Sequence, residues 1–562
     1  MDSMSNLTIN DRKLVVGIDF GTTFSGAAWA ETRRSDHQSI VEIWPADIGT
    51  HEGMSSPKVP TELRYTPQGI EWGFQIPPLA DRNQWFKLGL SDGQRASGQR
   101  ESSEVLTTDY LRMLCEHLLY TLDQQLGASI LRTIPIEFCL TVPAIWSEVA
   151  KQKTLDACQK AGLKSSSEIL LVSEPEAAAI YALQGLDPHG LSIGESFVLC
   201  DAGGGTVDLI SYTITSLKPI LKVREAAPGS GGLCGSTFLN RRFGEFLVEK
   251  LGQERGWDDE ILAEAMERFD TVIKRQFSTS TSNVGYTIPV PGIDNNERLG
   301  VRRGRFNIKA EEVKGIFDPI VDKIIKLVND QIRATSRPIR AVLLVGGFGQ
   351  NNYLKERLRT SLSSAVQILQ PPNAWTAVLR GAVMMGLARS DPRLTSVSLE
   401  SRAARKHYGA TLSVSFVAGK HDDSKKFWCP IDAAYRVLAM RWFIKKGELV
   451  EEGKPVEIDF VHRVSTPAAH MGNFAIDIWC DEISDVAPVH KNSNGRDLVT
   501  LRADLSHISI SDIGSFPIER GADGNNYYKV PGTIEATFYS ASTKYVLVCK
   551  GQRCDSVTAE YV

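Results

Sequence analysis

Phe197-Val198-Leu199-Cys200-Asp201-Ala202-Gly203-Gly204-Gly205-Thr206 repeats the pattern of Val15-Val16-Gly17-Ile18-Asp19-Phe20-Gly21-Thr22-Thr23, its aspartate standing 182 positions after the first. Each stretch is an apolar run, then an Asp, then a glycine-rich turn carrying Thr. Both therefore read as a strand that ends in a tight corner. Such a corner can offer backbone N–H groups to a phosphate and a carboxylate to its metal ion. A single Asp-x-Gly-Thr is equally well a turn that needs glycine for positive φ. Two copies, with Gly346-Gly347 following Leu343-Leu344-Val345 as a third corner, point to convergence on one nucleotide at the ends of two sheets.

Outward from these corners the chain alternates strands and helices as far as about residue 390. Val41–Trp44 and Thr61–Tyr65 read as further strands of the first sheet, and Ser91–Ser103 as a loop. Leu111, Leu114, Leu118, Leu122 and Leu126 recur every three or four residues, predicting a helix over Thr107–Leu126 that stops at Gly127. Ile136–Pro143 reads as a buried strand, followed by a helix to about Ala161, a strand at Ile169–Val172 and an Ala-rich helix over Glu174–Leu183. Strands are expected over 197–214 and about 219–225, then a glycine-rich stretch, Gly229–Gly235. Phe238–Phe277 is mainly helical, and Glu311–Ile332 is an amphipathic helix that Pro319 should distort. A strand at Ala341–Val345 and helices from Asn352 and over Ala374–Ala388 complete this part. Beyond a polar connection at 391–405, strand candidates separated by polar turns (Ala410–Phe416, Val437–Ile444, Val456–Val461, Phe474–Cys480, Leu498–Leu505, Thr533–Tyr539) suggest an antiparallel β-sandwich.

Composition bounds the function. A chain of 562 residues is too long for one core, and a net charge of −4 argues against a dominant nucleic-acid or anionic-membrane partner. Nine cysteines without a Cys-x-x-Cys pair read as reduced thiols of the cytoplasm, with the nucleus as the alternative. Residues 1–13 are polar and expected to be disordered, without a signal-peptide core, and no run of about 18 apolar residues suggests a membrane span. The ten histidines show no metal spacing, and Arg302-Arg303-Gly304-Arg305 reads as a solvated turn.

Five motifs in order make the chain resemble the 70-kilodalton heat-shock protein family of the actin-like ATPase superfamily, over about residues 14–388. They are Gly17–Thr23, Thr141-Val142-Pro143-Ala144 with the helix to Ala161-Gly162-Leu163, Glu174-Pro175-Glu176-Ala177-Ala178-Ala179-Ile180, Asp201–Asp208, and Leu344-Val345-Gly346-Gly347. The resemblance implies an α/β fold of two ribonuclease H-like lobes over 14–390, followed by a smaller β-rich domain at 406–562. It implies ATP or ADP with Mg²⁺ as cofactors. Asp19 and Asp201 would face the metal, mostly through water, with Asp208 close by. Gly21, Thr22 and Thr23 would wrap the phosphates from one lobe, and Gly203, Gly204, Gly205 and Thr206 from the other. Glu174 would position the metal shell and attacking water, and Lys87, in Trp85-Phe86-Lys87-Leu88, would approach the γ-phosphate. Gly231, Gly232, Lys274, Arg275, Gly346 and Gly347 complete the implied nucleotide contacts, and Pro143 resembles an interdomain switch. Each has a plainer alternative: a dipole-favoured helix carboxylate for Glu174, solvated cations for Lys87, Lys274 and Arg275, a strand stop for Pro143.

The chain also departs from the family pattern. The loop after Gly231-Gly232 lacks the usual acidic pair, Thr271 stands where a glutamate is typical, Phe348 and Gln350 replace a serine and an arginine, and Trp375 replaces an aspartate. Cys234-Gly235-Ser236, Trp85–Leu88 and the Ser401–Gly409 region resemble the atypical branch typified by heat shock 70 kilodalton protein twelve, which lacks the helical lid. The resemblance implies a slow Mg-dependent ATPase coupled to clients, signalling partners or co-chaperones through 406–562. A nucleotide-sensing scaffold with little or no hydrolysis is the alternative. A small-molecule kinase is disfavoured because no acceptor-binding base is evident.

Overall fold

The structure, a computed structural model, describes residues 12–46, 55–92, 101–185, 190–218, 220–281, 285–466, 473–504, 516–549, 552–554 and 558–561. Most of the loop expected at 91–103, nearly all of the N-terminal segment 1–13, and Leu505 lie outside the described residues. The chain divides into two compact units, Met1–Leu399 and Glu400–Val562.

In the first unit, β1 (Leu14–Asp19) is buried at every position and turns back antiparallel as β2 (Phe24–Glu31), with Asp19 opposite Gly26. β3 (Ser39–Ile40) extends β2 antiparallel, while β4 (Ile136–Val142) runs parallel to β1 and β5 (Leu170–Ser173) parallel to β4. The order is thus β3-β2-β1-β4-β5. The second lobe repeats it. β6 (Ser196–Ala202), β7 (Val207–Ser216) and β8 (Leu221–Gly232) form an antiparallel meander, β9 (Ile339–Val345) lies parallel to β6, and β10 (Gln367–Leu369) parallel to β9. Over these five strands its order, β8-β7-β6-β9-β10, matches that of the first lobe. The repeated Asp-Gly-Thr corner is thus the visible part of a duplicated lobe. Parallel pairs need crossovers, supplied here by helices.

Two further helices join the lobes. α1 (Glu174–Gly185) and α2 (Ala377–Ser390) pack backbone to backbone: a Cβ on Gly381 would fall 1.7 Å from the Ala177 carbonyl oxygen. One flank of the pair packs on Val15, Ala28, Cys139 and Val172 of the first sheet, and the other on Phe197, Leu199, Ile210 and Leu343 of the second. The Asp19 and Asp201 corners therefore face each other over a shared helical floor.

Several local expectations change. Val41–Trp44 is not a strand; Ile43 makes only an isolated bridge to Ser55, and the sheet position is filled by β3. Glu62–Thr66 is a strand but pairs with Gly69–Trp72 and Asn83–Gln84 in a separate small sheet. Gly231 and Gly232 are the last residues of β8, paired with Asp208 and Val207, because the antiparallel ladder carries on through the glycines. The helix over Ala310–Ala334 runs unbroken through Pro319. The polar connection expected at 391–405 contains a strand, Val397–Ala403, whose Val397, Ser401 and Ala403 are buried.

The second unit is made of strands. One sheet runs in the order Lys426–Cys429, Ala434–Ile444, His407–Ser415, Asn473–Asp481, Gly495–Asp504, Thr558–Tyr561, and another in the order Val456–Ser465, Asn526–Phe538, Thr543–Cys549, Gln552–Cys554. Ala410, Ile478 and Val499 of the first meet Ile458, Ile534 and Leu547 of the second in one core, which is the packing of a sandwich. Among its described residues there is no α-helix. Among the described residues of the whole chain, no helix is long and apolar enough to cross a membrane.

Candidate functional site

The two corners are in contact. A Cβ on Gly204 would lie 2.3 Å from Thr23 Oγ1, and one on Gly205 2.5 Å from Thr22 Oγ1. Only glycine allows this approach. The Gly203 N–H closes its own turn on the Thr206 carbonyl (3.0 Å). From behind, the N–H groups of Gly235, Ser236 and Thr237 hold the carbonyls of Gly205, Gly203 and Gly204 at 2.9–3.1 Å, leaving the turn's outer face open. The third corner folds over the second: Gly346 has φ +83°, and a Cβ there would meet Asp201 Oδ1 at 2.4 Å.

Between the corners lies a cavity of about 330 Å³, within the size range of a small-molecule site. Asp19, Gly21, Thr22, Thr23, Lys87, Glu174, Asp201, Gly203, Gly204, Gly205, Thr206, Lys274, Arg275, Gly346 and Gly347 all line it. Gly231, Gly232 and Asp208 do not. Asp208 stands opposite Asp201 on β7 and accepts the Ala144 N–H at 3.0 Å, joining the segment after Pro143 to the second lobe.

Its charges are unbalanced. Lys87, almost fully buried, reaches Glu174 at 2.5 Å and lies 5.3 Å from the centre of the Trp146 ring. Lys58 holds Asp19 Oδ2 at 2.6 Å, and Thr141 Oγ1 donates to Asp19 Oδ1 at 3.2 Å. Asp201 is buried yet makes no side-chain hydrogen bond or ion pair among the described residues. Burial, then the charges of Glu174, Asp208 and Asp19, push its carboxyl well above the usual range. Burial also drives Glu174 up to about 7; Lys87 opposes this, while Asp208 and Asp19 add to it. An unmatched carboxylate aimed into a cavity beside two N–H-rich turns fits a divalent cation that arrives with phosphate. Among the described residues no three acidic, His or Cys groups are placed to hold a metal by themselves. That agrees with Mg²⁺, which takes one or two carboxylates and completes its shell with phosphate and water.

Two lining residues carried no recognisable signal in the sequence. Lys58 follows Ser56-Pro57 in an irregular stretch, where a lysine reads as solvated. Asp270 sits on a π-turn, Phe269–Ile273, bonded to Asn240 Nδ2 (2.8 Å) and to Lys274; burial raises its carboxyl, but Lys274 and Asn240 outweigh this and hold it below the ordinary value. Thr271 lies off the cavity and donates to the Glu267 carbonyl at 2.7 Å. Trp375 and Phe348 are in the wall, Trp375 edge-on to Phe24 at 5.6 Å.

The Hsp70 protein family model matches residues 96–397, more than half of the chain. The chain belongs to the Hsp70 family. It is similar to heat shock 70 kDa protein 12A of Mus musculus, 25% identical, and 12B of Homo sapiens, 24% identical; each match covers 78% of this chain, and 78% and 77% of the relatives. It is 26% identical to the chaperone protein DnaK of Mycoplasma mycoides subsp. mycoides over 53% of this chain and 48% of that protein. The longer matches place the resemblance in the 12A and 12B branch of Hsp70. Membership makes this an ATP-binding, chaperone-like protein of the actin-like ATPase group, and ATP, ADP and Mg²⁺ are the ligands of Hsp70 proteins.

Proposed function

We propose that this Hsp70 protein binds ATP and ADP with Mg²⁺ in the cavity between its lobes, hydrolyses ATP slowly, and couples nucleotide state to protein or peptide binding by residues 406–562. The observation that carries the reading is the contact of the Gly21–Thr23 and Gly203–Thr206 turns beside the unmatched Asp201. Each turn presents backbone N–H groups to the phosphates. Mg²⁺ would supply charge neutralisation to the transferred phosphoryl group, and Asp201, with Asp19 beside it, would hold it. Lys87 steadies developing charge on the γ-phosphoryl oxygens, and Glu174 orients the attacking water and accepts its proton. Positioning and charge carry most of the catalysis in phosphoryl transfer. Because the turns belong to different lobes, bound phosphate favours one lobe arrangement, and Asp208 with Ala144 carries that arrangement toward Pro143.

The second reading, a nucleotide-sensing scaffold with little hydrolysis, is favoured by the aromatic wall that Phe348 and Trp375 give the cavity. Single-turnover hydrolysis of ATP, measured beside ATP binding for wild type and Glu174→Gln, separates the two. Hydrolysis lost in Glu174→Gln with binding kept supports the ATPase, and stimulation by a J-domain protein or unfolded peptide supports a chaperone cycle. Binding by wild type without any turnover leaves the scaffold. Co-chaperones as partners and a cytoplasmic location belong to the same proposal.

A further inference from the structure

Three lysines line the cavity, and two of them, Lys87 and Lys58, each pair with one of its acidic residues in a different way. Lys87 is matched to Glu174. Lys58 is held by Asp19, one of the two carboxylates assigned to the metal shell. Its side chain is only 8% exposed and its partner's 6%. Burying an ion pair yields little net stability, since the cost of removing two ions from water consumes the attraction between them. A lysine, the more strongly hydrated of the basic side chains, is a poor choice for a purely structural pair. Its placement is nonetheless well defined. Its stem packs beside Gly26, where a Cβ would lie 3.2 Å from Lys58 Cγ, and its Nζ lies 6.0 Å from the centre of the Trp375 ring. The ammonium group thus lines the cavity on the Asp19 side, next to the turn Gly21–Thr23.

Asp19 and Asp201 consequently do not do the same work. Asp19 enters ligand binding already neutralised by Lys58 and hydrogen-bonded to Thr141, whereas Asp201 has neither kind of partner. An ammonium group has three donors, so Nζ can keep Asp19 and still donate to a phosphate oxygen. We infer that Lys58 is a tethered cation for the nucleotide's phosphates, one that still holds them when Mg²⁺ is withdrawn. The inference rests on the nucleotide reading of the cavity and deepens it. Lys58 takes the share of charge neutralisation that a divalent ion would otherwise carry at Asp19, leaving the ion to Asp201.

The test is the affinity of the full chain for ADP, by titration calorimetry, in excess Mg²⁺ and in excess EDTA. Wild type should lose affinity on chelation but still bind ADP measurably. Lys58→Met, which keeps the stem and removes the charge, should lose about ten- to a hundredfold more affinity in EDTA than in Mg²⁺, the worth of a hydrogen bond to a charged group. Lys58→Arg should recover most of that loss, and thermal melting checks that both variants are folded. Wild-type binding that vanishes in EDTA would overturn the inference without any variant. So would a Lys58→Met loss that is equal in EDTA and Mg²⁺, or no loss at all. If wild type binds no ADP in either condition, the nucleotide reading itself fails and takes this inference with it.

Discussion

Gly204→Ala tests the meeting of the two turns most sharply. The added Cβ would sit 2.3 Å from Thr23 Oγ1, 2.8 Å from Cγ2 and 3.1 Å from Cβ. Ordinary carbon contacts begin at about 3.5 Å, so roughly 1 Å must be found. Rotating Thr23 only exchanges its two branches, and its Cβ remains in the way. The turns must therefore part. Overpacking of this kind costs about 1–3 kcal/mol. The strain falls on the contact between lobes rather than on either lobe's own core, so it should appear in ligand affinity more than in melting temperature. At about 1.4 kcal/mol per tenfold, Mg-ADP affinity should fall roughly five- to 150-fold by calorimetry. Adding Thr23→Ala should recover part of the loss, because it deletes the two nearest atoms. Gly315→Ala is the control: its Cβ would meet nothing within 4 Å on an exposed helical face, so affinity should hold while stability rises by about 0.5–1 kcal/mol. Gly204→Ala binding within twofold of wild type would refute the claim that the turns are locked together.

Lys87→Met should cost about 3–5 kcal/mol of unfolding free energy in urea, because it strands buried Glu174, and Glu174→Gln in the same chain should restore most of it. Glu174, raised to about 7 from 4.5, holds in the folded state a proton that the unfolded chain releases; its contribution is present below about 4.5 and lost as pH rises through about 7. Wild-type stability should therefore decline across that window, by on the order of 3 kcal/mol from this group, and Glu174→Gln should flatten the slope. The single-turnover hydrolysis rate should rise over the same interval as Glu174 ionises. Asp201→Asn should raise the melting temperature of the ligand-free chain, by removing an unmatched buried carboxylate, while abolishing the further rise that Mg-ATP gives wild type.

The architecture was legible where apolar runs and glycine carried it. The Asp19 and Asp201 corners, the strand ending at Val142, the helix opening at Glu174 and the Gly346 turn lie where the sequence puts them, because each depends on local backbone demands. The resemblance put Gly231 and Gly232 among the nucleotide contacts, but here they clear space in a sheet, where a Cβ on Gly231 would strike the Val207 carbonyl at 2.7 Å. Val41–Trp44 is apolar enough for a strand, but the edge of the first sheet was already filled by Ser39–Ile40. Lys58 and Asp270 were invisible for another reason. Their roles come from tertiary placement, one in an irregular stretch and one on a π-turn, and nothing local to either residue distinguishes it from a solvated charge.

The most direct test of the central claim is equilibrium binding of Mg-ATP to wild type and to Asp201→Ala, both confirmed folded by thermal melting. The account predicts saturable one-site binding by wild type and a loss of about a hundredfold or more in the variant, which lacks the unmatched carboxylate that receives the metal–phosphate unit. Equal affinity in the two proteins, or no binding of nucleotide by wild type, would contradict it.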